Sequence, residues 1–328
     1  MSQLEAGRAL AFARDVVERL GARPADAGRT AELLVRSELG GHPSHGLRRL
    51  VQYARGSREG TIVPSASARI VRDDGSTLTI DGRRALGQVV CTWAADLVAE
   101  RALAHGAAAV AVRHSAHCGR LADYAERACA QGAAVLLFAN DAGAAQTVAP
   151  PGGLAARLST NPLAAGVPRS ERPHLVMDMA TSVAAFGKVR VLEDAGQPVP
   201  EEWMRNGLLQ LLGGPKGFAL ALVVEALAGI VTGAGAVSAE PGPDDQGVFL
   251  LAFDPARFGP PGELAERVDA MLGYVLDVPL EPGAAPLRVP GSGLPPLPLD
   301  PAATFAIAPA LSGRLAALGE ELGVSAPG

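Results

Sequence analysis

Apolar positions recur at helical spacing over residues 3–20 and 25–39, which predicts two amphipathic helices, the second opened by Pro24. A Gly/His loop, GGHPSHG (40–46), follows, and residues 47–57 predict a third helix ending before Gly60 and Pro64. Then the period changes. ARIVRD (68–73) and STLTIDG (76–82) read as two short strands joined by an Asp-Asp-Gly turn. Residues 88–104 predict a helix, AAAVAVR (107–113) a buried strand, LADYAERACAQG (121–132) a helix closed by Gly132, and AAVLLFAN (133–140) another buried strand. A Gly/Ala/Pro loop (141–160) leads to strands at 163–168 and 174–180. GFALALVVEALAGIV (217–231) predicts a long apolar helix, GVFLLAFD (247–254) a strand, and residues 261–276 and 302–323 amphipathic helices on either side of a Pro-rich crossover (280–300). Strands alternate with helices over 68–254 and helices flank them, so the expected fold is α/β, with a helical subdomain built from the two termini.

The apolar run at 217–237 has the length of a membrane span, but Glu225 interrupts it and Gly229, Gly233 and Gly235 break its end, which favours a buried core helix. The N-terminus carries Glu5, Asp15 and Glu18 and has no apolar block of a signal peptide. A net charge of −5 over 328 residues offers no basic face to nucleic acid. The three cysteines, Cys91, Cys118 and Cys129, have no metal-ligand spacing and suit a reducing cytoplasm. Of 29 basic residues only two are lysines, Lys188 and Lys216, and asparagine occurs three times. In a chain that otherwise uses arginine, a retained lysine marks a site that calls for a compact ammonium; the same bias flags Asn140 and Asn161.

No phosphate loop, no Rossmann glycine fingerprint in its strand-to-helix context and no nucleophile elbow is present. Four of six histidines fall in two loops with H-x-x-H spacing, His42/His45 and His114/His117. Three readings are open: four imidazoles on zinc, hydrogen-bonded loop histidines, or proton carriers near neutral pH. The scarcity of other ligands favours catalysis over a metal, so no metal is expected. Arg48 and Arg49 follow Ser44 and His45 closely, and either could clamp a carboxylate or simply open a solvated helix. Thr160 and Asn161 could offer polar groups to a ligand or make a turn; Asp178, at a strand end, could accept from a ribose hydroxyl or act as a cap. Lys216 precedes the long apolar helix, where backbone N–H groups favour an anion.

The ordered series GHPSHGLRRLVQY (41–53), VRHSAHCGRLADYAERACAQGAAVLLFAND (112–141), STNPLAAGVP (159–168), DMATSVAAFGKVRV (178–191) and GPKGFALALVVEALAGIVTGA (214–234) resembles the malate/L-lactate dehydrogenase family of NAD(P)-dependent oxidoreductases. That family includes ureidoglycolate and sulfolactate dehydrogenases and a piperideine-2-carboxylate reductase. The resemblance implies a non-Rossmann mixed-sheet core with an NAD or NADP site. It implies three regions: an N-terminal helical segment with the catalytic loop (1–66), the cofactor-binding core (67–280), and a C-terminal segment packing back on the helical subdomain (281–328).

By the same resemblance His117, His45, Ser44 and Lys188 are catalytic, and Arg49, Tyr53 and Thr160 bind substrate. Cys118, Gly119, Arg120, Leu121, Asp178, Met179, Ala180, Phe186, Gly187, Lys216, Gly217, Pro290 and Gly291 line the cofactor. The implied protein is a cytoplasmic homodimer that acts on a small 2-hydroxy or 2-oxo acid, with neither nucleic acid nor membrane as partner. The family's cyclic-imine reductases carry Asp where this chain has Lys188, which favours a hydroxy acid over the cyclic imine-2-carboxylate alternative. The family commonly has His at Phe186, Phe at Cys118 and an aromatic at Pro215. Between Trp203 and Leu211 this chain is shorter than the family pattern, which leaves a non-catalytic scaffold as a further alternative.

Overall fold

The computed structural model describes residues 2–142, 146–238, 245–260 and 262–327. Residues 143–145 of the expected loop and Pro261 of the expected helix lie outside the described residues, as do the terminal Met1 and Gly328. Strand β1 (Ser2–Glu5) leads into α1 (Ala6–Arg19) and α2 (Pro24–Leu39), then a 3₁₀ turn (Pro43–His45) and α3 (Arg49–Glu59). The core follows: β2 (Arg69–Asp73), β3 (Thr77–Asp81), α4 (Gly87–His105), β4 (Ala107–Ser115), α5 (Ala122–Ala130), β5 (Ala134–Ala139), β6 (Leu163–Val167) and β7 (Leu175–Met179). Next come α6 (Phe186–Asp194), a small hairpin of β8 (Met204–Arg205) and β9 (Leu208–Leu209), and α7 (Pro215–Val224). The chain closes with β10 (Gln246–Phe253), α8 (Glu263–Leu276), β11 (Thr304–Ile307) and α9 (Pro309–Leu322).

Seven strands form one mixed sheet in the order β2-β3-β4-β10-β5-β6-β7. Only β3 and β4 pair in parallel, across the α4 crossover; the other neighbours are antiparallel. One sheet face carries Ile80, Val110, Val112, Val135, Leu137, Val248 and Leu250 and buries them against Val90, Ala94 and Val98 of α4 and Ala125 and Ala128 of α5. A second core joins the two ends of the chain, with Phe12, Val16, Leu34, Leu50 and Tyr53 packed against Phe305, Leu311 and Leu315. The α1 contribution recurs at Ala6, Ala9, Ala13 and Val16–Val17, the spacing of one helical face.

Three expectations change. Helix α1 starts at Ala6, because Ser2–Glu5 pairs with Thr304–Ile307, Leu4 opposite Phe305; the expected helix at 302–323 is accordingly a strand and then α9, reset by Pro309. Residues 186–194 form α6, which the sequence pattern did not announce. The apolar run is not one buried α-helix. It is α7 followed by a π-helical turn (Glu225–Val231), and Leu222, Val223, Ile230 and Val231 are exposed. The turn forms where Glu225 is pulled inward: its carboxylate accepts from Asn161 Nδ2 at 2.7 Å, Asn140 Nδ2 at 3.2 Å and Val237 N at 2.7 Å. Gly247 lets β10 pass beneath, since a Cβ there would lie 1.8 Å from the Ala228 carbonyl oxygen. Among the described residues no helix is long and apolar enough to cross a membrane.

Candidate functional site

A cavity of about 930 Å³ lies between the sheet and the helices from both termini. The wall formed by the Ser44–His45 turn is built by close approaches that only glycine permits. A Cβ on Gly46 would lie 2.1 Å from Glu38 Oε1, which accepts from Leu47 N at 2.8 Å and so pins the turn carrying Ser44 and His45. A Cβ on Gly187 would lie 2.8 Å from Ser44 Cβ, and Arg48 Nη1 donates to the Gly187 carbonyl at 2.8 Å, which draws the start of α6 onto the same turn.

Opposite stands the loop after β4. His117 Nε2 lies 3.3 Å from His45 Nδ1, with the rings stacked at 5.4 Å between centroids. His117 Nδ1 lies 3.0 Å from the Tyr53 hydroxyl. Burial, reinforced by the Arg49 guanidinium, holds both imidazoles well below the ordinary histidine pKa, so both are neutral at physiological pH. Burial and the Arg120 and Lys188 charges push His42 down to about 4. Arg49 Nε donates to the Ser44 carbonyl at 2.8 Å and Nη1 to Gln52 Oε1 at 2.6 Å, which fixes the guanidinium at the cavity wall. Asp178, at the end of β7, accepts from Ala122 N at 2.8 Å, and burial raises its pKa to about 6.

The cavity brings together Ser44, His45, Arg49, His117, Cys118, Gly119, Arg120, Leu121, Thr160, Asp178, Met179, Ala180, Phe186, Gly187 and Lys188. Five expected site residues stand off its wall. Tyr53 is fully buried behind His117. Lys216 is exposed in the first turn of α7, and Gly217 packs beneath it against the Leu212 and Thr181 carbonyls. Pro290 accepts from Val176 N at 3.0 Å, and Gly291 (φ +97°) crosses close over Val176. The two H-x-x-H loops meet through His45 and His117, but the four imidazoles do not converge: His42, His45 and His117 line the cavity, whereas His114 bonds Asp245 at 2.6 Å and is not on its wall. Among the described residues no group of three or more His, Cys, Asp or Glu is placed to hold a metal ion.

Sequence reasoning missed Arg190 and Arg314 on the wall. Asp194 holds Arg314 (Nη1 at 3.0 Å) and faces Arg48 at 3.6 Å, tying α9, α6 and α3 together at the cavity mouth. No local motif marks Arg314; only the return of the C-terminus brings it there. Gln246, also missed, accepts from Cys118 N at 2.9 Å and fixes the loop after His117.

Fold and cavity define the class first: a mixed-sheet α/β protein, without a dinucleotide fingerprint, whose cavity is walled in part by helices from both chain ends. The family model for malate/L-lactate dehydrogenase matches residues 4–207 and 204–293. The chain is 36% identical over 327 residues to L-lactate dehydrogenase of Cupriavidus necator, with 93% of each chain covered. It is 32% identical to malate dehydrogenase of Pyrococcus horikoshii, covering 81% of this chain and 80% of that one. Sulfolactate dehydrogenase of Methanocaldococcus jannaschii superposes with a TM-score of 0.86 at 28% identity, over 99% of this chain and 98% of that one. The chain therefore belongs to the malate/L-lactate dehydrogenase family, oxidoreductases acting on a CH–OH group.

Proposed function

We propose that this chain interconverts a small 2-hydroxy acid and its 2-oxo acid, with NAD or NADP as the carrier that gives or takes hydride at the substrate carbon. The observation that carries this reading is the fixed Arg49 guanidinium beside a buried, neutral His45–His117 pair. A planar fork binds a carboxylate through two parallel N–H bonds, and a neutral imidazole next to it can hold the hydroxyl or carbonyl oxygen. Lys188, also on the wall, adds an ammonium toward the same oxygen. Ser44 and Thr160 contribute hydroxyls to the cavity.

At about 930 Å³ the cavity is larger than a three-carbon acid fills and lies at the upper end of the range for ligand sites, which fits a cofactor beside the substrate. Cys118–Leu121, Asp178–Ala180 and Phe186–Gly187 would hold the cofactor, with Asp178 as acceptor for its amide or hydroxyl donors. Pro290–Gly291 and the Lys216–Gly217 helix entry would extend that surface beyond the cavity wall. Lys188 supports a hydroxy acid over a cyclic imine. The relatives carry the names of lactate and malate dehydrogenases, which sets the first substrates to try. The test is a panel of 2-oxo acids and cyclic imine carboxylates with NADH and NADPH, read by loss of nicotinamide absorbance. Turnover of a 2-oxo acid is expected; cyclic imine turnover alone would reassign the substrate, and no change in cofactor fluorescence on binding would leave a scaffold.

We propose further that the protein works as a homodimer in the cytoplasm. Three buried free thiols fit a reducing compartment. The apolar side chains left exposed along α7 and the π-turn fit a second copy.

A further inference from the structure

The hydrogen bonds behind the histidine pair have a direction, and it begins at a residue outside the cavity. Gln88, in the first turn of α4, is 1% exposed and its Nε2 donates to the Tyr53 hydroxyl at 2.5 Å. Gly87 makes this possible: a Cβ there would lie 2.4 Å from the His117 carbonyl oxygen, so only glycine lets α4 start directly beneath the His117 loop. Gln88 Oε1 has no partner among the described residues. A buried acceptor left unpaired costs stability, so this glutamine is not explained by packing.

Each donor fixes the next group. Tyr53 accepts from Gln88, and its own buried hydroxyl proton needs an acceptor; His117 Nδ1, at 3.0 Å, is the one beside it, which directs the bond from Tyr53 to His117. A neutral imidazole that accepts at Nδ1 carries its proton on Nε2, and His117 Nε2–H therefore donates to His45 Nδ1 at 3.3 Å. His45 in turn carries its proton on Nε2, which has no partner among the described residues, and His45 lines the cavity. Both ring nitrogens of His117 are occupied, so His45 is the imidazole with a nitrogen left for a ligand.

We propose that Gln88 is a positioning residue: acting through Tyr53 and His117, it sets the tautomer in which His45 offers Nε2–H to the substrate oxygen. The proposal rests on the dehydrogenase reading for its substrate, but the tautomers can be measured without turnover. The charged and titratable groups that face the two rings are Arg49, Arg120, Lys188 and His42, with Tyr53 and Cys118 behind them. The four cationic or basic groups disfavour a protonated pair, and the directed chain adds to this, because a proton added to His117 Nδ1 breaks the bond from Tyr53.

The experiment compares the full-length protein with Gln88→Leu and Gln88→Glu by long-range nitrogen–proton NMR of labelled histidine, assigned with single histidine variants. Gln88→Leu removes the donor together with the unpaired oxygen and is expected to fold. Wild type is expected to hold the His117 proton on Nε2. Gln88→Leu should mix the two tautomers, and Gln88→Glu, which accepts from Tyr53, should move that proton to Nδ1. In kcat/KM the acid limb of Gln88→Leu should shift up by about one pH unit, the scale of one hydrogen bond. A wild-type His117 protonated on Nδ1, or the same tautomer in all three proteins, overturns the proposal. A lower kcat with an unshifted pH profile also overturns it, since that is what a purely structural glutamine gives. Clear tautomer shifts in a protein that turns over no 2-oxo acid would leave Gln88 standing and sink the dehydrogenase reading instead.

Discussion

Arg36 Nη1 lies 2.8 Å from Asp123 Oδ1, and both side chains are almost fully buried. This pair joins α2, from the helical layer, to α5, which packs on the sheet. Arg36 Nε also donates to the Pro295 carbonyl at 2.8 Å and its Nη2 bonds Glu126, so one guanidinium holds three segments distant in sequence. Arg120 Nη2 shares the Asp123 carboxylate at 3.0 Å, which links this cluster to the cavity wall. Without Arg36, Asp123 keeps Arg120 and Glu126 keeps Arg172, so no carboxylate is stranded, but each loses a hydrogen bond from a charged donor. Arg36→Met should therefore destabilise the protein by roughly 1–3 kcal/mol, read from chemical denaturation. Arg36→Lys should recover little, because a point charge cannot reach three acceptors. A loss under about 1 kcal/mol in the methionine variant would mean that hydrophobic packing alone holds these layers together.

Glu38 gives the clearest pH signature. Burial raises its pKa from 4.5 to about 7, against the lowering effect of the Leu47 N–H and the Arg48 charge. The folded state thus binds this proton more tightly than the unfolded chain. Its contribution is fully present below about pH 4.5 and is lost as pH rises through about 7. A glutamine amide in its place would keep an oxygen for Leu47 N without titrating. Glu38→Gln should match wild type near pH 4.5 and exceed it above pH 8, by up to roughly 3 kcal/mol. The measurement is the difference in Tm between the two proteins across that range. A difference that does not vary with pH would show that the carboxyl does not titrate there.

Lys216 tests how far the cofactor surface extends. It is exposed in the first turn of α7, after Gly213 and Gly214, both at φ +58°, and Leu212 just before them reaches the cavity wall. The helix N-terminus and the ammonium together favour a phosphate outside the cavity mouth. Lys216→Ala should weaken cofactor binding by about tenfold, seen by fluorescence titration, with unchanged circular dichroism. Unaltered affinity in the folded variant would make this lysine a solvated helix start.

The core was legible in the sequence because its strands and α4 are local apolar patterns with turn residues between them. Strands β1 and β11 were not, since four residues beside a long helical pattern become a strand only when the opposite end of the chain supplies the partner. The usage bias toward arginine picked out four positions with different outcomes. Lys188 lines the cavity, and so does Asn140, which together with Asn161 also serves the buried Glu225 carboxylate. A buried carboxylate needs fixed amide donors, which accounts for both asparagines in a chain that otherwise rarely uses the residue. Arg49, His45 and His117 were legible from motif order; the Gln88–Tyr53 chain behind them was not, because Gln88 belongs to a helix with no chemical motif.

The apolar run at 217–231 carries the last prediction. The π-turn packs on β10 and β5, yet Leu222, Val223, Ile230 and Val231 point away from that contact, and Leu136 of β5 and Leu251 of β10 stay exposed on the sheet. Leu136 and Leu251 alternate with the core-facing Leu137 and Leu250, so they lie on the sheet face opposite α4 and α5. That is also the face on which the π-turn packs, and together these side chains make an apolar surface of the kind a monomer rarely leaves in water. A twofold assembly covers such a surface with its own copy. Ile230 is 68% exposed, so Ile230→Glu costs the isolated protomer little packing but places an unpaired charge in a dry interface. Wild type should run as a dimer in light scattering. Ile230→Glu should raise the dimer Kd by about a hundredfold or more and yield folded monomer at micromolar concentration. A monomeric wild type, or a variant that dimerises as tightly as wild type, would move the interface elsewhere or remove it.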